Sequence, residues 1–330
     1  MPQLRVATFN LENFDETVPG DEPSLERRIE LMRPQITRLR ADVVCFQEVH
    51  GQERPGEPRA LLALRELLVG TDLEDATLVS TRPAGDAVFD VRNLVVASRF
   101  AVLDATQYRN DLVAEPLYRR LTADPPDDEA VPIGVERPIQ HVRLDIGDAA
   151  SQRVLHVINV HLKSKNPTNV PGGRIDPFTW RTASAWAEGF FLSSMKRMSQ
   201  ALEVRWLVDR IFDDDPAAMI VVAGDFNAEP DDVPVQAIRG DVESTGNGAL
   251  ATRVLVPVAR SIPEPARFTL LYRGRGEMID HMLVSRSLLQ HHRTSQIHNE
   301  LLHDESVAFA VDDKFSESDH APMVAEFVTP

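Results

Sequence analysis

The sequence predicts a mixed α/β fold in one domain, and three observations carry that reading. Short apolar or β-branched runs recur along the whole 330-residue chain, helical patterns stand between several of them, and neither a low-complexity linker nor a fixed-period repeat divides it. In order, strands are expected over residues 4–9, 43–46, 94–97, 139–144, 154–160, 219–223, 278–284 and 322–328. A first helix is expected over residues 25–39, with Ser24 as its N-cap, Glu26 behind it, and a kink or split at Pro34. Residues 59–68 repeat leucine at helical spacing, and residues 179–211 form a long, mostly helical segment. Between these lie an acidic loop at 12–23, a Pro/Asp-rich stretch at 124–132, and a surface excursion at 166–177 with prolines and a Gly-Gly pair.

Composition narrows the class. With 43% hydrophobic and 26% charged residues the chain is globular, and no apolar run reaches the roughly 18 to 20 residues that a membrane-spanning helix needs. The start MPQLRVATFN lacks the basic-then-apolar layout of a secretory signal, and the single cysteine, Cys45, cannot close an internal disulfide. A cytoplasmic location is therefore the expectation. The formal charge of −16 argues against a non-specific nucleic-acid coater, because a polyanion is repelled unless an ion or a local basic cluster reverses the field. It does not argue against an enzyme whose carboxylates gather around a divalent cation. Only four of the 35 basic residues are lysine.

The main signal is that four apolar strands end in chemistry-bearing residues. VATF runs into Asn10, VVCF into Gln47 and Glu48, VINV into His161, and IVVAG into Asp225, Phe226 and Asn227. Asp280 and His281 open IDHMLV, and Ser318, Asp319 and His320 precede the final strand. A strand delivers its terminal residues to a fixed place on a sheet edge, so these acid, amide and imidazole groups can converge.

The ordered motifs TFNLENF, CFQEV, RNLVVASRF, ERPIQHVRL, NVHLKSK, GDFNAEP, IDHMLVS and SDHAPMVAEF resemble those of the endonuclease/exonuclease/phosphatase superfamily, over nearly the whole chain. GDFN and SDHAP are the most specific pieces. The resemblance implies a four-layer sandwich of two mixed β-sheets flanked by helices. It implies Glu48 as main ligand of a catalytic Mg²⁺, with Mn²⁺ or Ca²⁺ as substitutes, and Asn10 and Asp319 completing or supporting the site. By the same resemblance Asp225 orients or deprotonates the attacking water, and Asn227 donates its amide to a phosphate oxygen. His320, held in its tautomer by Asp280, hydrogen-bonds the phosphate or acts as base. His161 marks the deoxyribonuclease I-like or sphingomyelinase-like branch and is the candidate acid for the leaving oxygen. Arg137, with help from Asn93, would contact phosphate.

Other conspicuous residues read as structural. Cys45 sits inside an apolar strand, Trp180, Trp186 and Trp206 read as packing, His281 faces away from Asp280, and His291, His292 and Arg293 read as a solvated turn. Residues 166–195 stand as an insertion relative to compact members of the superfamily, with Gly172 and Gly173 as a possible hinge for a lid. The function expected is Mg²⁺-dependent hydrolysis of a phosphodiester by in-line attack of water, most of all a nuclease-type activity. The alternative substrates are a phospholipid head group or a small molecule, and no protein partner is implied. A catalytically silent binding module is the rival of another class. Retention of Asn10, Glu48, His161, Asp225, Asn227, Asp280, Asp319 and His320 speaks against it.

Overall fold

Near-continuous apolar runs give the central strands two buried faces, and the computed structural model stacks those strands into two six-stranded sheets. It describes residues 3–16, 23–83, 85, 87–148, 151–307 and 315–328. The strands are Gln3–Phe14 (β1), Val43–Val49 (β2), Thr77–Ser80 (β3), Asn93–Ser98 (β4), Ala101–Tyr108 (β5) and Ile139–Asp145 (β6). They continue with Val154–His161 (β7), Met219–Asp225 (β8), Val256–Pro257 (β9), Asp280–Val284 (β10), His292–Ile297 (β11) and Met323–Val328 (β12). One sheet has the order β11-β12-β1-β2-β4-β3, the other β9-β10-β8-β7-β6-β5. Each is built on a central parallel pair, β1 with β2 and β7 with β8, flanked by antiparallel strands. Sequence comparison for repeats is blind to this duplication, because only the connectivity repeats.

Between the sheets Leu4, Val6, Val43, Cys45 and Val96 meet Val142, Leu155, Val157, Val221, Met282 and Val284 in one buried cluster. The opposite face of the first sheet is covered by helices Leu25–Leu39 (α1) and Leu62–Leu68 (α2), which set Ile29, Met32, Ile36, Leu64 and Leu67 against Phe9, Val44 and Phe46. The outer face of the second sheet is covered by Ala183–Asp214 (α3) and Val233–Arg239 (α4), through Val204, Leu207, Val208, Phe212, Val235 and Ile238. The result is the four-layer sandwich expected. Burial of this kind stabilises by roughly 25 cal/mol per Å² of apolar surface, so the three clusters dominate the folding energy. No helix among the described residues is long and apolar enough to cross a membrane.

Several local expectations are corrected. α1 runs through Pro34 without a break, capped by Ser24 Oγ accepting from Arg27 N–H. Residues 12–14 of the expected acidic loop extend β1, and 17–22 of that loop lie outside the described residues. β3, β5, β9 and β11 go beyond the strands that the apolar runs predict. β5 is an edge strand that alternates poorly because most of its side chains are exposed, and β11 begins at His292, where a turn is expected. Trp186 and Trp206 are 47% and 54% exposed, so they do not pack in the core, whereas Trp180 is half-buried. Cys45 is fully buried.

The 166–195 segment is pinned along its length. Thr168 N–H donates to Ser193 Oγ and to the Gly189 carbonyl, and Val170 is buried with Ala123, Ile133 and Leu192. Glu188 accepts from Leu121 N–H, Thr122 N–H and Tyr118 O–H, tying α3 to the 117–134 excursion. At Gly172, φ is +68° and an added Cβ would meet Asp124 Cβ at 2.5 Å, so this glycine serves close packing.

Candidate active site

Following the inward face of each central strand toward its site end, apolar residues give way to polar ones. Val6 is succeeded by Thr8 and Asn10, Cys45 by Gln47, Val157 by Asn159 and His161, and Ala223 by Asp225. The first polar layer links the two sheets. Gln47 Nε2 donates to Asn159 Oδ1 at 2.8 Å, and Asn159 Nδ2 donates to the Phe46 carbonyl at 3.1 Å and to Gln140 Oε1 at 3.2 Å. All three side chains are buried and bonded, as a polar layer in a low dielectric must be.

The second layer contains most of the candidate residues. Asp225 Oδ2 accepts from Asn10 Nδ2 at 3.1 Å and from Asn227 Nδ2 at 3.0 Å, with His161 Nε2 at 3.1 Å, while Asp225 Oδ1 accepts from Asn227 N–H at 2.8 Å. Burial alone would raise this carboxyl, but the imidazoles of His161 and His320 and the donors around it hold it well below the usual carboxylate range. Gly224, with φ +142°, brings the chain so close to β7 that a Cβ would lie 1.9 Å from the Val160 carbonyl oxygen. That close approach is why glycine precedes Asp225. Across the site His320 Nδ1 stands 2.7 Å from Asp280 Oδ2, and its Nε2 is 3.5 Å from Asn10 Nδ2. Burial disfavours the imidazolium, yet Asp280 and Asp319 raise its pKa well above the ordinary value.

Glu48 should face the helices, since Gln47 before it faces the sheet interface. Its backbone has φ +58°, and the register of β2 shifts on both sides of it, so its carboxylate turns to within 3.6 Å of His161 Nε2. Burial raises Glu48, but His161, Arg137 and Arg92 outweigh it and leave the pKa lowered. Asn227, Glu12, Asn13 and Arg92 also have positive φ, so five non-glycine residues in the left-handed region cluster here. Backbone strain of this kind persists where the surroundings over-determine it, and it concentrates at functional sites.

Glu48, His161, Asp225, Asn227, Asp319 and His320 line one cleft of about 620 Å³, together with Arg92 and Arg137. Asn10 and Asp280 support it from behind through the hydrogen bonds above. Two expectations change. Asn93 is fully buried, its amide donating to the Val49 and Phe89 carbonyls, so it pins a turn and does not reach the cleft. Asn227 spends its amide hydrogens on Asp225 and on the Leu162 carbonyl, so it is not free to donate to a phosphate in this structure. His281 is buried against the Ala228 carbonyl at 2.8 Å, as its place on the strand implied.

Two residues of the site escape the sequence reading. Glu12 accepts from Asp319 N–H, and burial and the charge of Asp319 push its carboxyl up to about 8. It stands two residues beyond Asn10 on the same strand, the spacing that shares a face. Arg28 is buried on α1, donating to the carbonyls of Leu11, Glu12, Asn13 and Ser316. Its place in the apolar stripe of Leu25, Ile29 and Met32 is the signal that could have found it.

Metal fit rests on donor chemistry. The described residues hold no ready cage of three or more His, Cys, Asp or Glu side chains. The cleft does offer hard oxygen donors, and Asp319 Oδ1 is buried with no hydrogen-bond partner. Burial, with Glu305 and Glu48, raises Asp319 to about 6, a repulsion that a cation relieves. Glu48, Asp319, Glu12 and Asn10 therefore suit a hard cation that keeps several waters.

Comparison with solved structures finds the same fold at low sequence identity. An endonuclease/exonuclease/phosphatase from Bacteroides vulgatus superposes with a TM-score of 0.57 at 16% identity, covering 100% of both chains. The 3′ phosphatase NExo from Neisseria, bound to a product DNA hairpin, gives 0.54 at 16% identity, covering 98% of this chain and 99% of its own. Truncated Caenorhabditis elegans TDP2 gives 0.55 at 15% identity, covering 98% and 97%. No curated protein matches the chain in sequence. The family model described as Endonuclease/Exonuclease/phosphatase family matches residues 7–320, from the first strand to the His320 motif, and the chain belongs to that family.

Proposed function

We propose that this protein is a divalent-metal-dependent phosphoesterase that cleaves a phosphodiester by in-line attack of water, with a nuclease-type activity as the leading reading. The observation that carries it is Asp225, a deeply buried carboxylate kept ionised by converging donors, at the floor of a cleft that also holds the His320–Asp280 pair and carboxylates suited to a hard cation. Mg²⁺, or Mn²⁺ or Ca²⁺ in its place, would be held by Glu48 and Asp319 with Glu12 and Asn10 in support, and when bound supplies Lewis-acid polarisation of a phosphoryl oxygen.

The remaining roles belong to the chain itself. Asp225 orients the attacking water or takes its proton, with Asn10 and Asn227 fixing the carboxylate. His320, oriented by Asp280, presents Nε2 to the phosphate and neutralises charge that builds on it. His161, whose Nε2 lies 3.1 Å from Asp225 Oδ2, is the candidate acid for the leaving oxygen. Arg137, whose Nη1 donates to the Leu162 carbonyl at 3.3 Å, presents the rest of its fork to the phosphate. Basic side chains at the cleft mouth favour an anionic substrate despite the net charge, which supports nucleic acid over a neutral lipid surface. A silent binding module would have no reason to keep a buried, strained and ionised constellation. The test is a Mg²⁺/Mn²⁺ panel of plasmid DNA, single strands, RNA, sphingomyelin, inositol phosphates and bis-nitrophenyl phosphate. Asp225→Asn serves as control, and equal turnover by both proteins would end the proposal.

A further inference from the structure

Beside the catalytic cleft lies a second hollow of about 370 Å³, lined by Phe89, Arg92, Arg137, Lys163 and Ser164 among others, with Glu136 as its one carboxylate. It shares Arg92, Arg137 and Ser164 with the cleft, so the two are continuous. Three cations converge on it in a chain whose formal charge is −16, and one of them is among only four lysines. The nearby Lys165 and Lys196 are paired, with Glu277 and Glu136 respectively. Among the described residues, no carboxylate lies within salt-bridge distance of Arg92, Arg137 or Lys163. Lys163 Nζ is instead held by oxygens of neutral groups, Ser164 Oγ at 3.0 Å and the Asn166 carbonyl at 3.2 Å. Burial, with Arg137, Lys196 and Arg197 nearby and only Glu136 opposing, pushes its ammonium down to about 8. Arg92 reaches Asn13 Oδ1 at 3.2 Å from a backbone at φ +58°.

Like charges on a concave, partly desolvated wall, whose one carboxylate, Glu136, is paired with Lys196, repel one another, and a multivalent anion relieves that repulsion. We propose that this hollow is a subsite for a second phosphate, carried by the substrate next to the one that reacts, and held by Lys163, Arg92 and the outer edge of Arg137. The inference deepens the phosphoesterase reading and rests on it for the position of the first phosphate. The ligand chemistry is a pair of neighbouring phosphates, present in a nucleic-acid strand or in a bisphosphorylated small molecule.

Binding, not turnover, tests it. The Asp225→Asn protein with Mg²⁺ is titrated calorimetrically with thymidine 3′,5′-bisphosphate against its 3′- and 5′-monophosphates, and with inositol 1,4-bisphosphate against inositol 1-phosphate. At least one bisphosphate should bind about tenfold or more tighter than its monophosphates, and whichever pair shows the larger ratio identifies the source. Adding Lys163→Gln should bring that ratio near one, while Lys163→Arg should keep it. Equal affinities for one and two phosphates, or a ratio indifferent to Lys163→Gln, would overturn the subsite. Failure of the wild-type protein to cleave any phosphoester alongside a preserved ratio would instead remove the enzymatic reading and leave the subsite standing.

Discussion

At the scale of single residues, the site separates groups that hold a cation from groups that move a proton. Asp225 is saturated with donors on the protein side, so Asp225→Asn loses the charge and sets an N–H donor against one of them. Its kcat should fall by about 10³ or more, with Mg²⁺ affinity changed little, and single-turnover rates with metal titration check both. Glu48 predicts the opposite pattern. Wild-type Tm should rise with Mg²⁺ by mass action, and Glu48→Gln should lose that rise along with activity. An unchanged metal-dependent shift in the variant would remove Glu48 from the ligand set.

Elements explain how these residues arrive, and how far they can be read beforehand. β7 and β8 run parallel in register, pairing His161 with Asp225, and Gly224 lets their backbones meet. Gly224→Ala should therefore cost about 3 kcal/mol or more in denaturant unfolding, and a loss under 1 kcal/mol would show that the strand end can shift. The eight strands expected from apolar runs are all present, because each is buried on both faces and its pattern has nothing to compete with it. β3, β5 and β11 sit at sheet edges and dilute the pattern with exposed residues. Among site residues, those at strand ends are legible from position. Glu12 is hidden because the acidic run around it reads as a loop, and Arg28 because a buried arginine is polar in sequence and structural in space. Asn93 is misplaced because its motif gives a position near the site, but not which way the amide turns.

The whole molecule carries a pH dependence that these burials impose. Burial pushes His141, His156 and His281 each to about 4, against 6.5 when exposed. His141 and His156 stack with Nε2 and Nδ1 3.0 Å apart, an arrangement that needs at least one neutral ring. At these three rings the unfolded chain binds more protons than the folded protein between those values, so their contribution to stability is full above pH 6.5 and is lost as pH falls toward 4, while the raised carboxyls of Glu12 and Asp319 act in the opposite sense. His281 alone accounts for roughly 3 kcal/mol across that window. The Tm advantage of the wild-type protein over a His281→Gln variant should shrink as pH falls from 7 to 4.5, and a constant difference would contradict a buried neutral ring.

The amide layer of Gln47, Asn159 and Gln140 has a further consequence. Asn10 and Glu48 ride on one sheet, His161 and Asp225 on the other, and apolar side chains alone would let the two slabs slip past each other at small cost. Hydrogen bonds between amides have a direction, and so make the interface a toothed coupling. Asn159→Leu should keep the sandwich folded while letting the two halves of the reaction centre drift out of alignment, with turnover lost far from any atom that touches substrate.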